Sequence, residues 1–182
     1  MQLFKSHDEA LTFALRFSGQ QYAQSPMSKA LRQGDAPIGQ GKGLHALDGA
    51  GQAAFILRRL DQLDKVHRAA LVARFSARVE ACPCCGHDAP LPEYKESILL
   101  LAHWVQQYLP RKDTPERMRY AIVQEYFERS RSIRKIAESI GMPARTALDY
   151  KDRIWPQLSQ LDKIAHGNIE QLLSGMCGEA TA

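Results

Sequence analysis

Apolar residues recur every three or four positions along most of this chain, the spacing of one face of an α-helix. The first such stretch covers residues 7–18, with apolar positions at Leu11, Ala14, Leu15 and Phe17. Its acidic start, Asp8 and Glu9, suits the positive end of a helix dipole. We therefore predict a first helix here, with Gly19 as its stop.

The helical pattern is interrupted and then resumes. Residues 25–51 contain two prolines and six glycines, which favour a flexible segment. From Gln52 the apolar positions predict two packed helices with a break near Leu63 or Asp64. Further helices are predicted over 93–108, 116–129, 132–140, 143–154 and 156–173.

No stretch of useful length alternates between apolar and polar residues as a half-buried strand does. The predicted fold is therefore all-α, a helical bundle. We divide it into an N-terminal helix and glycine-rich segment at 1–51, and a helical partner-binding region at 52–110 with a cysteine-rich turn at 82–87. A DNA-binding region at 111–175 and a flexible tail at 176–182 follow.

The sequence SIRKIAESIGMPARTALDYKDRI, from Ser132, has the residue types of a helix-turn-helix. Small Ala137 permits two helices to cross closely, Gly141 can end the first helix sharply, and Pro143 suits the first turn of the second. Met142 fills the junction. The predicted core positions of the two helices are Ile133, Ile136, Ile140, Ala147, Tyr150 and Ile154.

The outer face of the second helix is predicted to meet a DNA major groove. Arg145 is the first choice for a base contact, because its fork matches the two acceptors of guanine. Asp149 could accept from a cytosine amino group or orient Arg145. Phosphate contacts are predicted for Arg134, Lys135, Thr146, Lys151 and Arg153.

The charge distribution supports a polyanionic partner such as double-stranded DNA. The formal net charge is +4, which by itself is common in proteins with no nucleic-acid role. Eleven of the 24 basic residues, however, lie between Arg111 and Arg153. The alternative is that these helices only pack against one another as part of the fold, and that their basic face contacts solvent and not DNA.

Cys82, Cys84 and Cys85 lie within four residues, and His87 follows. The C-P-x-C-G form directs Cys82 and Cys85 at one ion, and zinc takes four ligands. Cys84 or His87 could supply the third ligand, and His103 or a more distant group the fourth. The alternative is a turn of reduced thiols without metal, while a redox pair is disfavoured because no βαβ unit is visible.

Nothing in the sequence predicts an enzyme. His45, His67 and His166 stand singly, and GQGKGL lacks the ending of a phosphate-binding loop. The longest apolar run, from Ile98, is far shorter than the ~20 residues of a membrane helix, and no secretion signal opens the chain. We expect a cytoplasmic protein with no membrane partner.

The sequence IVQEYFERSRSIRKIAESIGMPARTALDYKDRIWPQL, from Ile122, resembles the sigma-factor-region-4-like helix-turn-helix of Q-type phage late-gene antiterminators. It is similar also to their bacterial relatives, the AlpA-like lysis-cassette regulators. GKGLHALDGAGQAAFILRRL, with the apolar helix and cysteine turn after it, resembles phage-associated members of the group. The resemblance covers about residues 40–165.

This resemblance implies a protein that binds duplex DNA at a promoter, engages RNA polymerase and sigma factor, and promotes readthrough of terminators. The DNA-contact positions that it implies are those given above, and the apolar region 44–75 would face polymerase or sigma. The metal ligands of zinc-bearing members do not map onto Cys82, Cys84 and Cys85, so the resemblance adds nothing for zinc.

Two other functions fit the same residues. One is a promoter activator or repressor, which would usually read two half-sites as a symmetric dimer. The other is a helical interaction module that binds sigma factor or polymerase without DNA. The sequence leaves the oligomeric state, the DNA target and the regulated genes open.

Overall fold

The computed structural model describes residues 4–22, 46–82, 84–85, 87–109 and 114–174. Its α-helices are α1 (His7–Tyr22), α2 (Ala46–Leu60), α3 (Lys65–Phe75), α4 (Pro92–Trp104), α5 (Glu116–Glu128), α6 (Ile133–Ile140) and α7 (Ala144–Leu173). Two short strands, β1 (Val79–Ala81) and β2 (Asp88–Pro90), lie between α3 and α4. A 3-10 helix, Val105–Tyr108, follows α4. The all-α class is confirmed. Most of the predicted glycine-rich segment and the predicted tail lie outside the described residues.

The long helix α7 organises the core. It packs against α1, α2, α3, α5, α6 and the 3-10 helix. The residues that it buries recur every three or four positions: Ala147, Tyr150, Ile154, Leu158, Leu161, Ala165, Ile169 and Leu173. Because this stripe spans the whole helix, the helices before and after the cysteine turn share one hydrophobic core.

Three predicted helix boundaries differ from the structure. α1 continues past Gly19 to Tyr22, α2 begins at Ala46 instead of Gln52, and α7 runs through Pro156 without a break. A proline inside a helix costs about 3 kcal/mol because it removes one hydrogen bond and crowds the preceding turn. Ile154 and Leu158, fully buried on either side, hold the helix together there.

The break predicted near Leu63 or Asp64 is confirmed. α2 ends at Leu60 and α3 begins at Lys65. Asp64 caps α3, because its Oδ2 accepts a hydrogen bond from the Val66 amide at 3.0 Å.

The cysteine-rich turn is closed by a small antiparallel sheet that the sequence pattern did not predict. Val79 pairs with Pro90 and Ala81 with Asp88. Beyond the sheet, the Cys82 amide donates to the His87 carbonyl at 2.8 Å. Strands of three residues are too short to produce a recognisable alternation. Arg78 anchors this hairpin to the helices, since its Nη2 donates to the Phe127 carbonyl at 3.0 Å.

Candidate functional site

Two helices meet at a tight turn in the region predicted to bind DNA. Ser132 caps α6 by accepting from the Lys135 amide at 3.3 Å. At the other end Gly141 takes a left-handed conformation, φ 75°, and its amide donates to the Glu138 carbonyl. The Met142 amide donates to the Ala137 carbonyl at 2.9 Å, completing a Schellman motif. We call residues 132–154 the α6–α7 corner.

The inner side of the α6–α7 corner is as predicted. Both helices also pack against α5. The buried predicted positions are Ile133, Ile136, Ala137, Ala147, Tyr150 and Ile154. Ile140 and Met142 are partly buried and pack against the same core. The inward faces of the two helices are therefore confirmed.

Three of the predicted DNA-contact residues carry a positive charge on the outside of the corner. Arg134 and Lys135 are exposed on α6, and Arg145 is exposed in the first turn of α7. None of the three forms an ion pair with a described residue. Their charges are therefore available to an external anion.

Asp149 and Arg153 are exposed but bind each other. Arg153 Nε donates to Asp149 Oδ2 at 3.1 Å, across one turn of α7. The structure therefore pairs Asp149 with Arg153 and not with Arg145, the partner suggested by spacing. An exposed pair of this kind contributes about 0.3–0.5 kcal/mol, so a phosphate can compete for Arg153.

Lys151 and Thr146 lie at the side of the corner and are partly buried. Lys151 Nζ is 4.7 Å from the centre of the Trp155 ring and 3.4 Å from Asp152 Oδ1. Its ammonium is therefore held by a cation-π contact and a weak ion pair. Leu148, three residues after Arg145 on α7, packs partly against the core.

A shallow groove of about 290 Å³ opens between the start of α6 and the side of α7. It is lined by Glu125, Arg131, Ser132, Ile133, Arg134, Leu148, Lys151 and Trp155. Sequence reasoning did not select Arg131, Glu125 or Trp155 as site residues. The four-residue spacing of Lys151 and Trp155 was a usable signal, because such residues are neighbours on a helix.

One of the basic residues between Arg111 and Arg153, Arg119, has a structural role. Arg119 is buried in α5, where its Nε donates to the Ala102 carbonyl at 3.1 Å and its Nη1 to the Thr114 carbonyl. It therefore fixes the approach of the chain to α5 and does not face an external anion.

The cysteine turn brings three thiols together. The Sγ atoms of Cys82, Cys84 and Cys85 lie within 4.8 Å of one another, and those of Cys82 and Cys84 are 2.9 Å apart. This cysteine group could hold a metal ion. Among the described residues, the rings of His87 and His103 are not part of it. His103 lies on α4, with Nε2 3.9 Å from Glu116 Oε1.

The thiols of the cysteine group differ in acidity. A hydrogen bond from the Cys84 side chain, followed by backbone hydrogen bonds in the turn, lowers the pKa of Cys82 to about 7. The same side-chain hydrogen bond raises the pKa of Cys84. Cys82 is therefore present as thiolate, the form that binds metals and attacks electrophiles, more readily than Cys84.

The region predicted to face polymerase is largely occupied by its own core. Most apolar side chains of α2 and α3 are buried, among them Ile56, Leu60 and Leu71. Among the side chains of α2 and α3 whose burial the structure describes, Phe55 is the large apolar exception, 42% exposed, with the Arg59 guanidinium 5.0 Å from its ring centre.

No protein-family model matches this chain, and no curated protein matches it either. In the part of the chain that the structure describes, no helix has both the length and the apolar character that crossing a membrane requires. Function is therefore inferred from the residues of the α6–α7 corner and of the cysteine group.

Proposed function

We propose that this chain is a sequence-specific DNA-binding regulator of transcription, and that the α6–α7 corner is its DNA-reading helix-turn-helix. The observation that carries the proposal is the set of three exposed cations, Arg134, Lys135 and Arg145, on two helices that share one tight turn. In a helix-turn-helix the first residues of the second helix reach the base edges. Arg145 occupies that position.

Each side chain has its own role in this proposal. Arg145 reads a guanine, since two N–H groups of its guanidinium can donate to guanine O6 and N7 in the major groove. Arg134, Lys135 and Thr146 bind phosphates and fix the register. Arg153 joins them when it leaves Asp149, whereas Lys151 positions a phosphate from its place over the Trp155 ring.

We further propose that the regulator acts as an antitermination factor, which loads on RNA polymerase near a promoter and promotes readthrough of phage late-gene or lysis-cassette terminators. The resemblance of residues 40–165 to Q-type antiterminators supports this step. Phe55 and Arg59 on α2 offer polymerase or sigma factor an apolar and a basic contact. No catalytic step is assigned to any residue.

We propose zinc as the ion of the cysteine group, with His87 as a further ligand. Thiolates are ligands that zinc prefers, and Zn–S bonds of about 2.3 Å place tetrahedral sulfurs roughly 3.8 Å apart. The 2.9 Å between Cys82 and Cys84 Sγ must therefore widen. Since Cys84 and Cys85 are exposed, the turn has room for this change. Zinc here would rigidify the hairpin.

Selection of a binding site from random duplexes, followed by competition gel shifts, tests the DNA proposal. Arg145→Ala should relax the sequence preference at a cost of about 1–3 kcal/mol, while Lys135→Ala should weaken binding to all duplexes similarly. Lys163→Ala, an exposed lysine far along α7, is the matched control. Unchanged binding by Arg145→Ala and Lys135→Ala would exclude the corner as the interface.

Transcription across a terminator separates antitermination from its rivals. RNA is measured upstream and downstream of the terminator with wild type and with Arg145→Ala. If the protein is an antitermination factor, wild type should increase the RNA downstream of the terminator while the RNA upstream stays constant. Arg145→Ala should not produce this increase. If both change together, the protein is a promoter activator or repressor. If binding to duplex DNA is absent and polymerase or sigma factor is still captured, it is a helical interaction module.

A further inference from the structure

Two imidazole rings and a carboxylate from opposite ends of the chain meet where α1 lies against α7. His7 and Asp8 occupy the first turn of α1, and His166 lies in the last third of α7. Asp8 Oδ1 is 3.1 Å from His7 Nε2 and 3.4 Å from His166 Nδ1. All three ligand atoms lie within 4.8 Å of one another. We call these residues the histidine cluster.

The spacing of the histidine cluster suits a small tetrahedral cation. Bonds of 2.0–2.1 Å from zinc to nitrogen or oxygen place neighbouring ligand atoms roughly 3.3 Å apart. The two separations measured from Asp8 Oδ1 lie on either side of that value. The side chain of Asp8 is 54% exposed, so solvent can reach the remaining coordination position.

A second carboxylate lies near His166, on the side of its other ring nitrogen. His166 Nε2, the nitrogen that faces away from Asp8, lies 3.7 Å from Asp162 Oδ1. Arg74 holds that carboxylate with two hydrogen bonds, from Nε at 3.0 Å and from Nη2 at 2.6 Å. The rings of Phe75 and His166 form a T-shaped contact, with 5.5 Å between ring centres. Metal-binding histidines usually donate the second ring N–H to a carboxylate, so Asp162 would fix the orientation of His166 if the 3.7 Å separation shortened to hydrogen-bond distance.

We propose that His7, Asp8 and His166 bind a divalent transition-metal ion, zinc in the first instance, at a site distinct from the cysteine group. Imidazole ligands favour zinc, copper or nickel over magnesium and calcium, which prefer oxygen. The ion links the start of α1 to α7. Because it binds only where the two helices are packed together, it stabilises the folded chain.

The test uses the full chain with all four cysteines replaced by serine, so that no thiol competes for metal. Calorimetric titration with zinc chloride should give one equivalent bound, and the melting temperature should rise with zinc. Cobalt(II) in place of zinc should give the intense visible absorption of a tetrahedral ion, without the near-ultraviolet band of a cobalt-thiolate bond.

Variants in the same background locate the ion. His7→Gln should weaken zinc binding by about tenfold or more, because loss of even an outer-shell partner typically costs about 10–100-fold and His7 is a direct ligand in this proposal. His67→Gln, a histidine outside the cluster, is the matched control. His166→Gln should have the largest effect, and if it prevents folding, His7→Gln still decides the matter. Absence of zinc binding in the thiol-free chain, or equal binding by His7→Gln and His67→Gln, would overturn the proposal.

Discussion

The Tyr94 hydroxyl on α4 donates to Glu128 Oε1 on α5 at 2.6 Å. Tyr94 is buried at this helix pair, and Gln124 Nε2 donates to the same carboxylate oxygen at 3.0 Å. Burial, and then the hydrogen bond to Glu128, raise the pKa of Tyr94 well above its usual value. The contact therefore depends on the phenol keeping its proton.

This relationship predicts how stability changes at alkaline pH. Above about pH 10 tyrosines in the unfolded chain ionise while Tyr94 in the folded chain stays protonated, so the unfolded state binds fewer protons. The free energy of unfolding therefore falls as pH rises, by up to about 1.4 kcal/mol per pH unit from this group. Tyr94→Phe should flatten the fall, as measured by urea unfolding between pH 8 and 11.

At neutral pH the same variant should lose about 1–2 kcal/mol, because a buried hydrogen bond to a charged group is removed. Tyr108→Phe, at an exposed position, is the control. In Tyr94→Phe the free energy of unfolding should still fall somewhat as pH rises, because burial and Glu128 also raise the pKa of Tyr120. If the free energy of unfolding fell with pH equally steeply in wild type and in Tyr94→Phe, Tyr94 would not be a source of the alkaline loss of stability.

Gly141 and Gly167 should respond in opposite directions to the same substitution. Neither has a neighbour that an added Cβ would touch, but Gly141 has φ 75° and Gly167 lies inside α7. Gly141→Ala should destabilise the protein by about 1 kcal/mol, whereas Gly167→Ala should stabilise it by about 0.5–1 kcal/mol. Thermal or urea unfolding measures both, and a change of the same sign in both would exclude a backbone cause.

The Asp149–Arg153 ion pair predicts a change in DNA binding. Asp149→Asn removes a negative charge and releases Arg153 for a phosphate. Binding to duplex DNA should become tighter, and the plot of log K against log salt steeper by about one. Glu138→Gln removes an equal charge from the exposed face of α6 without releasing Arg153. It should leave the salt slope nearly unchanged, and identical slopes in the two variants would refute this role of Arg153.

The unequal acidity of the cysteine group is measurable by alkylation. With its pKa lowered to about 7 by Cys84, Cys82 should react with iodoacetamide ahead of Cys84 at pH 7. Cys84→Ala should slow labelling of Cys82 roughly tenfold, since fewer thiols are then ionised. Cys85→Ala should have a smaller effect. Peptide mass spectrometry gives the rates, and equal labelling of all three thiols in wild type would contradict the prediction.

Zinc should protect the cysteine group in the same assay. A bound ion engages the thiolates and withholds them from the reagent. Protection of all three thiols by one equivalent of zinc would support zinc in the turn. If all three thiols were fully labelled in the presence of excess zinc, the cysteine group would not bind zinc and its thiols would be free.

Local sequence determined the helices, their inward faces and the turn of the α6–α7 corner. Helical spacing depends only on residues a few positions apart, and so do the cap at Ser132 and the positive φ of Gly141. The buried side of the corner, with Ile136, Ala137 and Tyr150, was therefore predicted correctly. The exposed positions of Arg134, Lys135 and Arg145 followed from the same periodicity.

Tertiary structure alone decided what depends on distant residues. Pro156 predicts a break, but the packing of α7 against other helices outweighs that local penalty. The basic character of Arg119 could not reveal its burial, and the short strands of the cysteine hairpin exist because they pair with each other. His166 stands singly in the sequence and meets His7 only in the folded chain, because long-range packing leaves no local pattern.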